Sequence, residues 1–310
     1  MSDLVEIWEK PAAQEIYMIA GWRQWADAGA VSSGLPQYLI DQTGASKIGE
    51  IKPDEFYLFQ IPGTHHLLRP EVKLREGHTE EVEARRNEFF YSGEGKNGLL
   101  IFLGEEPHRN EKRYAGAFFD LVEGLGVGRA AAVAGVYGAM PYDRDRNVSC
   151  VYSLQRMKDE LSQYAVGFSD YEGGATISMY LAHCAEQRGI EFLRFCAFVP
   201  AYDFSRPSIA IQQMRIDKDF KAWYDLMRRL NHMFDLGLDL LDLEKRSNEL
   251  VSSMDAKMEE LERTVPQLKV GDYMEKVASD FTETPFAPLS DEWESALEDL
   301  FEDAEDESEP

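Results

Sequence analysis

Glu106 and His108 are the residue pair in this sequence whose types and spacing best suit acid/base chemistry. They lie two residues apart in the segment 104–109, after an apolar run and before a predicted helix. A carboxylate and an imidazole placed in this way could act as an acid/base pair or form a polar binding cluster. A charged loop whose carboxylates stabilise the start of the helix explains the same residues equally well.

A second candidate segment, residues 21–29, holds Trp22 and Asp27 between glycines. It follows a short apolar run and precedes a predicted helix. In an open α/β sheet this position is the carboxyl end of a strand, where ligands usually bind. Trp22, Asp27 and Gly29 are therefore candidate ligand-binding residues. The alternative is that Asp27 caps the helix and the tryptophan packs in the core.

A third candidate segment, residues 169–176, contains Tyr171, Glu172 and Gly173 directly before another predicted helix. Two consecutive glycines beside a helix start could turn backbone N–H groups towards an anion. Tyr171, Glu172 and Gly173 are thus candidate ligand-binding residues as well. A tight turn that needs positive φ angles would explain the glycines without any ligand.

Other kinds of site find no support in the sequence. None of the six histidines has a His-Glu-x-x-His spacing, and the three cysteines lie far apart, so we predict no metal ligands. A Gly-x-Ser-x-Gly nucleophile motif is missing, and Gly93-Glu94-Gly95-Lys96 lacks the spacer of a phosphate loop. We therefore assign no catalytic residue and expect no cofactor.

The charge balance excludes two classes of partner. The chain has 57 acidic and 32 basic residues, a net charge of -25, and its last twenty residues hold 11 acids and no base. Such a surface disfavours nucleic acid and anionic lipid. No run approaches 18 apolar residues, the N-terminus does not resemble a signal peptide, and unpaired cysteines suit a reducing compartment. We predict a cytoplasmic protein.

Strand and helix patterns alternate through the first two thirds of the chain. Fully apolar runs predict central strands at 98–103 and 130–137, a short apolar stretch predicts a buried strand at 16–20, and a further strand is predicted at 191–199. Further strands are predicted at 45–51, 56–61, 68–76, 87–92 and 148–152, and helices at 27–44, 110–125, 154–164 and 176–188. Apolar strands separated by helices indicate parallel βαβ units, and hence an α/β fold.

Helical spacing dominates the rest of the chain. Apolar residues recur every three or four positions after Ile216, which predicts a helical arm. We expect an α/β core domain at 1–216, the arm at 217–282 and an acidic, largely disordered tail at 283–310. The Met- and Leu-rich stripe of the arm would pack on its own core or against a neighbouring subunit.

The candidate segments, taken with other short motifs, resemble the proteasome assembly chaperone 2 domain family in its bacterial and archaeal branch. The similarity spans roughly residues 5 to 215. The matching motifs are Gly21-Trp22 with Asp27-Ala28-Gly29; 53–57 with Arg69-Pro70; 104–108 leading into Phe119-Asp120-Leu121; Met140-Pro141-Tyr142; Tyr171-Glu172-Gly173; and 199–202. In this family the aspartate usually follows Gly-Trp sooner, whereas here residues 23–26 intervene.

This resemblance implies a three-layer α/β fold, a mostly parallel sheet flanked by helices as in phosphorylase/hydrolase-like proteins. It also implies a homo-oligomer, commonly a trimer, and a protein partner of the proteasome type. We therefore expect a non-enzymatic, assembly-chaperone-like protein. The alternative is a small-molecule-binding protein or a hydrolase/phosphorylase-like enzyme, with its pocket at the carboxyl ends of the strands. For either function we expect the three candidate segments to meet at one edge of the sheet.

Overall fold

A computed structural model describes residues 3–23, 25–53, 55–59, 70, 72–82, 85–93, 95–204 and 214–286. The strands in these residues are β1 (Val5–Ile7), β2 (Glu15–Arg23), β3 (Ser46–Ile51), β4 (Val72–Arg75), β5 (His78–Val82), β6 (Asn87–Ser92), β7 (Asn97–Glu105), β8 (Val127–Gly138), β9 (Val148–Tyr152), β10 (Gly167–Phe168), β11 (Glu191–Tyr202) and β12 (Met214–Arg215). The α-helices are α1 (Val31–Thr43), α2 (Glu111–Gly124), α3 (Lys158–Leu161), α4 (Ile177–Arg188), α5 (Phe220–Met233), α6 (Leu241–Thr264) and α7 (Val270–Ser279).

Ten of these strands form one large sheet. Its order is β1-β3-β6-β7-β2-β8-β11-β9-β10, with β12 paired to β11. The four central strands β7, β2, β8 and β11 run parallel, whereas β1, β3, β6 and β9 pair antiparallel with their inner neighbours. The predicted α/β class with a helix-flanked sheet is confirmed, and the strands predicted at 16–20, 98–103, 130–137 and 191–199 lie within its parallel centre.

Helices cover both faces of the sheet and give the protein three layers. One hydrophobic cluster contains Leu35 of α1, Leu226 of α5 and Phe195 of β11. A second cluster contains Phe118 of α2 and Phe192 of β11. Side chains of neighbouring strand residues point to opposite faces. A single strand such as β11 therefore serves both cores.

The C-terminal helices pack on the sheet of their own chain. Met227 and Leu230 of α5 are completely buried, and Met254 and Met258 of α6 are nearly so. They belong to the same cluster as the sheet residues beneath them. The Met- and Leu-rich stripe is therefore largely buried within the chain, which favours the first of the two packing alternatives. The division into a core domain and an arm near residue 216 stays a prediction.

One predicted strand and one predicted helix differ from the structure. Of the strand predicted at 56–61, the described residues 56–59 form an irregular segment. Phe56 is fully buried there, with its ring edge-on to Tyr114 at 5.1 Å, so its apolar character reflects core packing and not strand pairing. The helix predicted at 154–164 is shorter, since only α3 is α-helical between two 3-10 turns.

Of the strand predicted at 68–76, residues 72–75 form β4, which pairs with β5 in a separate hairpin outside the large sheet. Every residue from 72 to 82 is exposed, and we call this segment the exposed hairpin. Residues 68, 69 and 71 lie outside the described residues, as do residues 287–310, which hold most of the predicted acidic tail.

Two absences concern the described residues. No helix among them is long and apolar enough to cross a membrane. No group of three or more His, Cys, Asp or Glu side chains among them is arranged to hold a metal ion.

Candidate functional site

The first two candidate segments lie side by side at one edge of the sheet. Strands β2 and β7 are parallel neighbours, and Trp22 pairs with Gly104 at their carboxyl ends. Asp27 continues this edge by bridging to Gly135 of β8. The expectation that these segments meet at the carboxyl end of the parallel strands is confirmed for these two.

Asp27 caps the helix that follows it. Its Oδ1 accepts hydrogen bonds from the backbone N–H groups of Ser32 and Ser33, both at 2.9 Å. Its Oδ2 accepts a further bond from the Ser33 hydroxyl at 2.7 Å. Burial raises the pKa of the Asp27 carboxyl, and the hydrogen bonds from Ser33 and Ser32 oppose this shift. The carboxylate thus satisfies N–H groups that a helix start leaves without partners.

Trp22 lies in the hydrophobic core and not in a cleft. It is 1% exposed, and its ring packs against Phe102 and Phe118 at 5.2 and 5.7 Å. The indole Nε1–H donates to the hydroxyl of Tyr114 at 2.9 Å. A buried tryptophan needs such a partner for its only polar atom.

Gly29 joins the sheet edge to helix α5. Its carbonyl accepts hydrogen bonds from the backbone N–H of Asp219 at 2.9 Å and from Trp223 Nε1 at 3.0 Å. Its φ is +62°, and a Cβ here would lie 2.7 Å from the Cβ of Asp219. Glycine is therefore required both by the backbone conformation and by the close approach of α5.

Glu106 connects the second candidate segment to the third. Its Oε1 accepts a hydrogen bond from the backbone N–H of Ile177, at the start of α4, at 2.5 Å. Burial raises the pKa of the Glu106 carboxyl to about 7, while the Ile177 N–H and the positive charge of Arg194 oppose the shift. The position where an anion would bind at this helix start is thus taken by the protein's own side chain.

His108 makes contacts separate from those of Glu106. Its Nδ1 accepts a hydrogen bond from the backbone N–H of Leu58 at 3.0 Å, and the Tyr57 ring lies edge-on at 5.4 Å. Burial and the nearby Arg85 charge lower the pKa of His108, so the ring is neutral near pH 7. Its Nε2 is buried and has no hydrogen-bond partner among the described residues. The pair suggested by the spacing is therefore not directly hydrogen-bonded in the described part of the chain.

The third segment is a surface loop. Tyr171 is 59% exposed, and Glu172 and Gly173 are exposed too. A Cβ on Gly173 would lie 2.3 Å from the Tyr171 hydroxyl, but this hydroxyl ends an exposed side chain that can move aside, so the contact does not require glycine. Gly173 and Gly174 do not have positive φ angles. The alternative explanation by a positive-φ turn is therefore wrong.

A cavity of about 610 Å³ opens beside β8 and β11, and its other walls include β9, β10, the loop that follows β10 and the start of α4. We call it the rim cavity. Of the eight candidate residues, Tyr171 lines it, and Thr176 and Trp25 from neighbouring positions do so too. The structure thus gathers Glu106, the start of α4 and Tyr171 near one cavity, but it does not place all eight candidates around it. Whether any of the eight binds a ligand stays a prediction.

The sequence reasoning missed the most unusual residue of the rim cavity, Arg194. This arginine lines the cavity and is only 5% exposed. The sequence does single this residue out, because Arg194 is the only charged residue in the otherwise apolar run 192–199. A charge inside a strand that is otherwise buried is costly unless something compensates it.

These features define a class: three-layer α/β proteins with a cavity beside the carboxyl ends of the parallel strands. Within that class, residues 22–258 match the model of the PAC2 family. The chain belongs to the PAC2 family, as its motifs indicated.

Three solved structures illustrate the similarity. A PAC2 family protein from Streptomyces avermitilis is 20% identical, with a TM-score of 0.66 over 84% of this chain and 99% of its own. A Mycobacterium tuberculosis proteasome-assembly chaperone homologue is 19% identical, with a TM-score of 0.66 over 77% and 94%. PbaB, an archaeal proteasome activator from Pyrococcus furiosus, is 19% identical, with a TM-score of 0.56 over 82% and 98%. None of the curated proteins matches the sequence significantly. At these identities the likeness establishes the fold.

Proposed function

We propose that this PAC2 protein is a non-enzymatic, assembly-chaperone-like protein that acts by binding another protein. The observation that carries the proposal is the exposed hairpin. Val72, Leu74 and Val82 are 53%, 61% and 56% exposed there. Apolar side chains grouped on a projecting element are typical of surfaces that another chain covers.

The geometry of the hairpin groups these apolar residues. Val72 and Val82 are directly opposite each other in the β4–β5 ladder. Leu74 follows Val72 by two positions, so the strand alternation turns both to the same side. Lys73 and Glu81 form an ion pair at 2.8 Å and belong to the alternating set of positions. Val72, Leu74 and Val82 therefore group three exposed apolar side chains on the hairpin, with Thr79 opposite Leu74 after a register shift between Lys73 and Leu74, and this group suits docking by a partner protein.

The choice of partner rests on the relatives. Two of the similar structures are a proteasome-assembly chaperone homologue and an archaeal proteasome activator. We extend this to the present chain as a proposal: its partner is a subunit of a proteasome-type ring, and the protein works in the cytoplasm as a homo-oligomer, with a trimer as the expected form.

The non-enzymatic part is supported by what the candidate acid/base groups do. Asp27 makes three hydrogen bonds to the start of α1. Glu106 binds the start of α4, and His108 Nδ1 binds a backbone N–H. An acid/base pair has to reach a common substrate atom. Groups held by separate structural partners are poorly placed for that task.

A matched pair of substitutions tests the proposal. Leu74→Lys places a charge in the apolar group of the exposed hairpin, and Leu241→Lys makes the same change at the 69% exposed Leu241 of α6. Each tagged full-length variant is used as bait in native lysate, and captured proteins are quantified by mass spectrometry. We expect a ring subunit to be captured by the wild type and by Leu241→Lys, and to be reduced about tenfold or more with Leu74→Lys, since burying a lone charge is unfavourable.

Two results would contradict the proposal. One is equal capture of the partner by Leu74→Lys and the control, which would remove the hairpin from the interface. The other is turnover of a small substrate by the purified protein that stops with Glu106→Gln. The oligomer is tested separately by light scattering, where a monodisperse monomer would overturn the trimer.

A further inference from the structure

Arg194 carries a buried positive charge that the described residues do not pair. It lies in the middle of β11, between Ala132 of β8 and Val151 of β9. It is 5% exposed, and no ion pair joins it to a carboxylate in the described ranges. A guanidinium stays protonated in proteins. This charge is therefore present in the folded protein and faces little water.

Protein groups among the described residues take up little of the hydrogen-bonding capacity of Arg194. Its Nε donates to the hydroxyl of Ser178 at 3.2 Å, and that hydroxyl is 2.9 Å from the hydroxyl of Thr176. The thiol of Cys196 also contacts the guanidinium, but a thiol is a weak acceptor. A guanidinium has five N–H donors in a planar fork that fits a carboxylate with two parallel bonds.

Neither of the two acidic residues near the rim cavity serves as the carboxylate partner of Arg194. Glu106 is close enough for Arg194 to affect its pKa, but its Oε1 is bound to Ile177 N–H. Asp170 lines the cavity as an exposed side chain and makes no ion pair with Arg194. The guanidinium of Arg194 is therefore the main charged group that a ligand could pair with at the buried side of the cavity.

The remaining walls are largely apolar. The larger aromatic and aliphatic lining residues include Trp25, Val136, Phe168, Tyr171, Met179 and Phe198. Trp25, Tyr171 and Phe198 are 62%, 59% and 38% exposed, so they stand at the mouth. A cavity of a few hundred Å³ with apolar walls and a few polar groups is the usual form of a small-molecule site.

We propose that the rim cavity binds a small organic acid, whose carboxylate pairs with Arg194 and whose apolar body lies against the aromatic residues of the mouth. This site is separate from the exposed hairpin and does not depend on the assembly role.

The probes for the test are phenylacetate and 3-phenylpropionate, with the uncharged phenylacetamide as the matched control ligand. Binding to the purified full-length protein is measured by calorimetry and ligand-observed NMR. We expect saturable binding of at least one carboxylate. Phenylacetamide should bind about 10- to 100-fold more weakly, because a charge-assisted pair contributes more than a neutral hydrogen bond.

Two substitutions locate the site. Arg194→Gln removes the charge and should weaken carboxylate binding about 10- to 100-fold, with phenylacetamide unaffected. Gly174→Phe acts from the mouth: Gly174 lines the cavity, its φ is not positive, and no atom lies within 4 Å of an added Cβ. The new ring should block both probes. Gly271→Phe is the matched control, since Gly271 of α7 has the same free space away from the cavity.

The proposal is overturned if neither carboxylate binds saturably at millimolar concentration, or if acid and amide bind equally. It is also overturned if Gly174→Phe leaves binding unchanged. Should Arg194→Gln fail to fold, Gly174→Phe and the acid/amide comparison still decide the question. Partner capture by the Gly174→Phe variant is expected to remain intact, so this result is distinguishable from a failure of the assembly role.

Discussion

Arg146 and Arg194 are both buried arginines, but their surroundings differ. The Arg146 side chain is completely buried and pairs with Asp219 through Nε at 2.9 Å and Nη2 at 3.2 Å. Its Nη1 donates to the carbonyls of Tyr142 and Arg144, both at 2.9 Å. Arg194 has no ion pair among the described residues and one hydrogen bond to a hydroxyl.

The comparison separates a structural charge from one that is available to a ligand. Asp219 not only pairs with Arg146 but also caps α5, by accepting from the N–H groups of Lys221 and Ala222 at 3.1 and 3.0 Å. Each polar group in that region thus provides the charge or hydrogen-bond partner that another one needs. Arg194 is a buried arginine next to a cavity, and the described residues do not provide acceptors for all of its N–H donors.

The largest expected effect is that of Arg146→Met. It leaves the Asp219 carboxylate buried without its cation, which should lower the free energy of unfolding by about 3–5 kcal/mol. Urea unfolding followed by circular dichroism measures it. The control is Arg144→Met, at an arginine that is 55% exposed with ion pairs at 3.6 and 3.7 Å, where we expect less than about 1 kcal/mol. Equal losses of stability for Arg146→Met and Arg144→Met would show that the buried ion pair contributes no more than the exposed ones, and would remove Arg146 as the example of a structural charge.

Gly29→Ala should follow, because it disturbs the same region through the backbone. The added Cβ would lie 2.7 Å from Asp219 Cβ at a φ of +62°, and we expect a loss of about 2–4 kcal/mol. Gly44→Ala is matched in φ, at +61°, with no atom within 4 Å, so it should lose only the backbone part, about 1–2 kcal/mol. Thermal unfolding of both variants gives the difference. A larger loss for Gly44→Ala would argue against a tight contact at Gly29.

Glu106, whose carboxyl accepts a hydrogen bond from the start of α4, should make the stability depend on pH. Its folded-state pKa of about 7 lies above its ordinary value of 4.5. Between these values the folded protein keeps a proton that the unfolded chain has lost. The stability that this group contributes is therefore fully present below pH 4.5 and is lost as the pH rises through 7.

Glu106→Gln removes this dependence because glutamine stays neutral. From about pH 5 to about pH 8 the variant should gain about 2 kcal/mol of stability relative to the wild type. Unfolding curves over the pH series measure the difference. Parallel curves for the two proteins would show that Glu106 titrates at its ordinary pKa.

The smallest expected effect on stability is that of Arg194→Met, which should change the free energy of unfolding by less than about 1 kcal/mol, since little is lost apart from a charge in an apolar setting. The same change should move the pH dependence of Glu106 upwards, because Arg194 lowers its pKa. A loss comparable to that of Arg146→Met would mean that Arg194 is structural, and it would remove the contrast between the two arginines.

The centre of the fold was predictable because its strands are uniformly apolar. The runs at 98–103 and 130–137 lie within β7 and β8, which are covered on both faces. The strand predicted at 56–61 was wrong for its described residues, because Phe56 lies in a loop and packs on Tyr114. A local apolar pattern cannot distinguish such a buried loop residue from a residue in a strand.

The candidate site was predictable only in part. The placement of Trp22 beside Gly104 follows from two parallel strands that end together. The hydrogen bond from the Ile177 N–H to Glu106 joins residues 71 positions apart, and no spacing in the sequence predicts it. The pairing of Arg146 with Asp219 is likewise a product of the tertiary fold, whereas Arg194 was visible as the lone charge of its run.

The two outermost strands of the large sheet have a consequence for how copies of the chain can meet. β1 is three residues long and β10 is two, so each outer edge offers only a few backbone groups to a further strand. Short edge strands discourage the endless strand-to-strand addition that leads to fibres. Any contact between copies of this chain is thus expected to rely on side-chain surfaces, because the large sheet offers little edge for strand pairing.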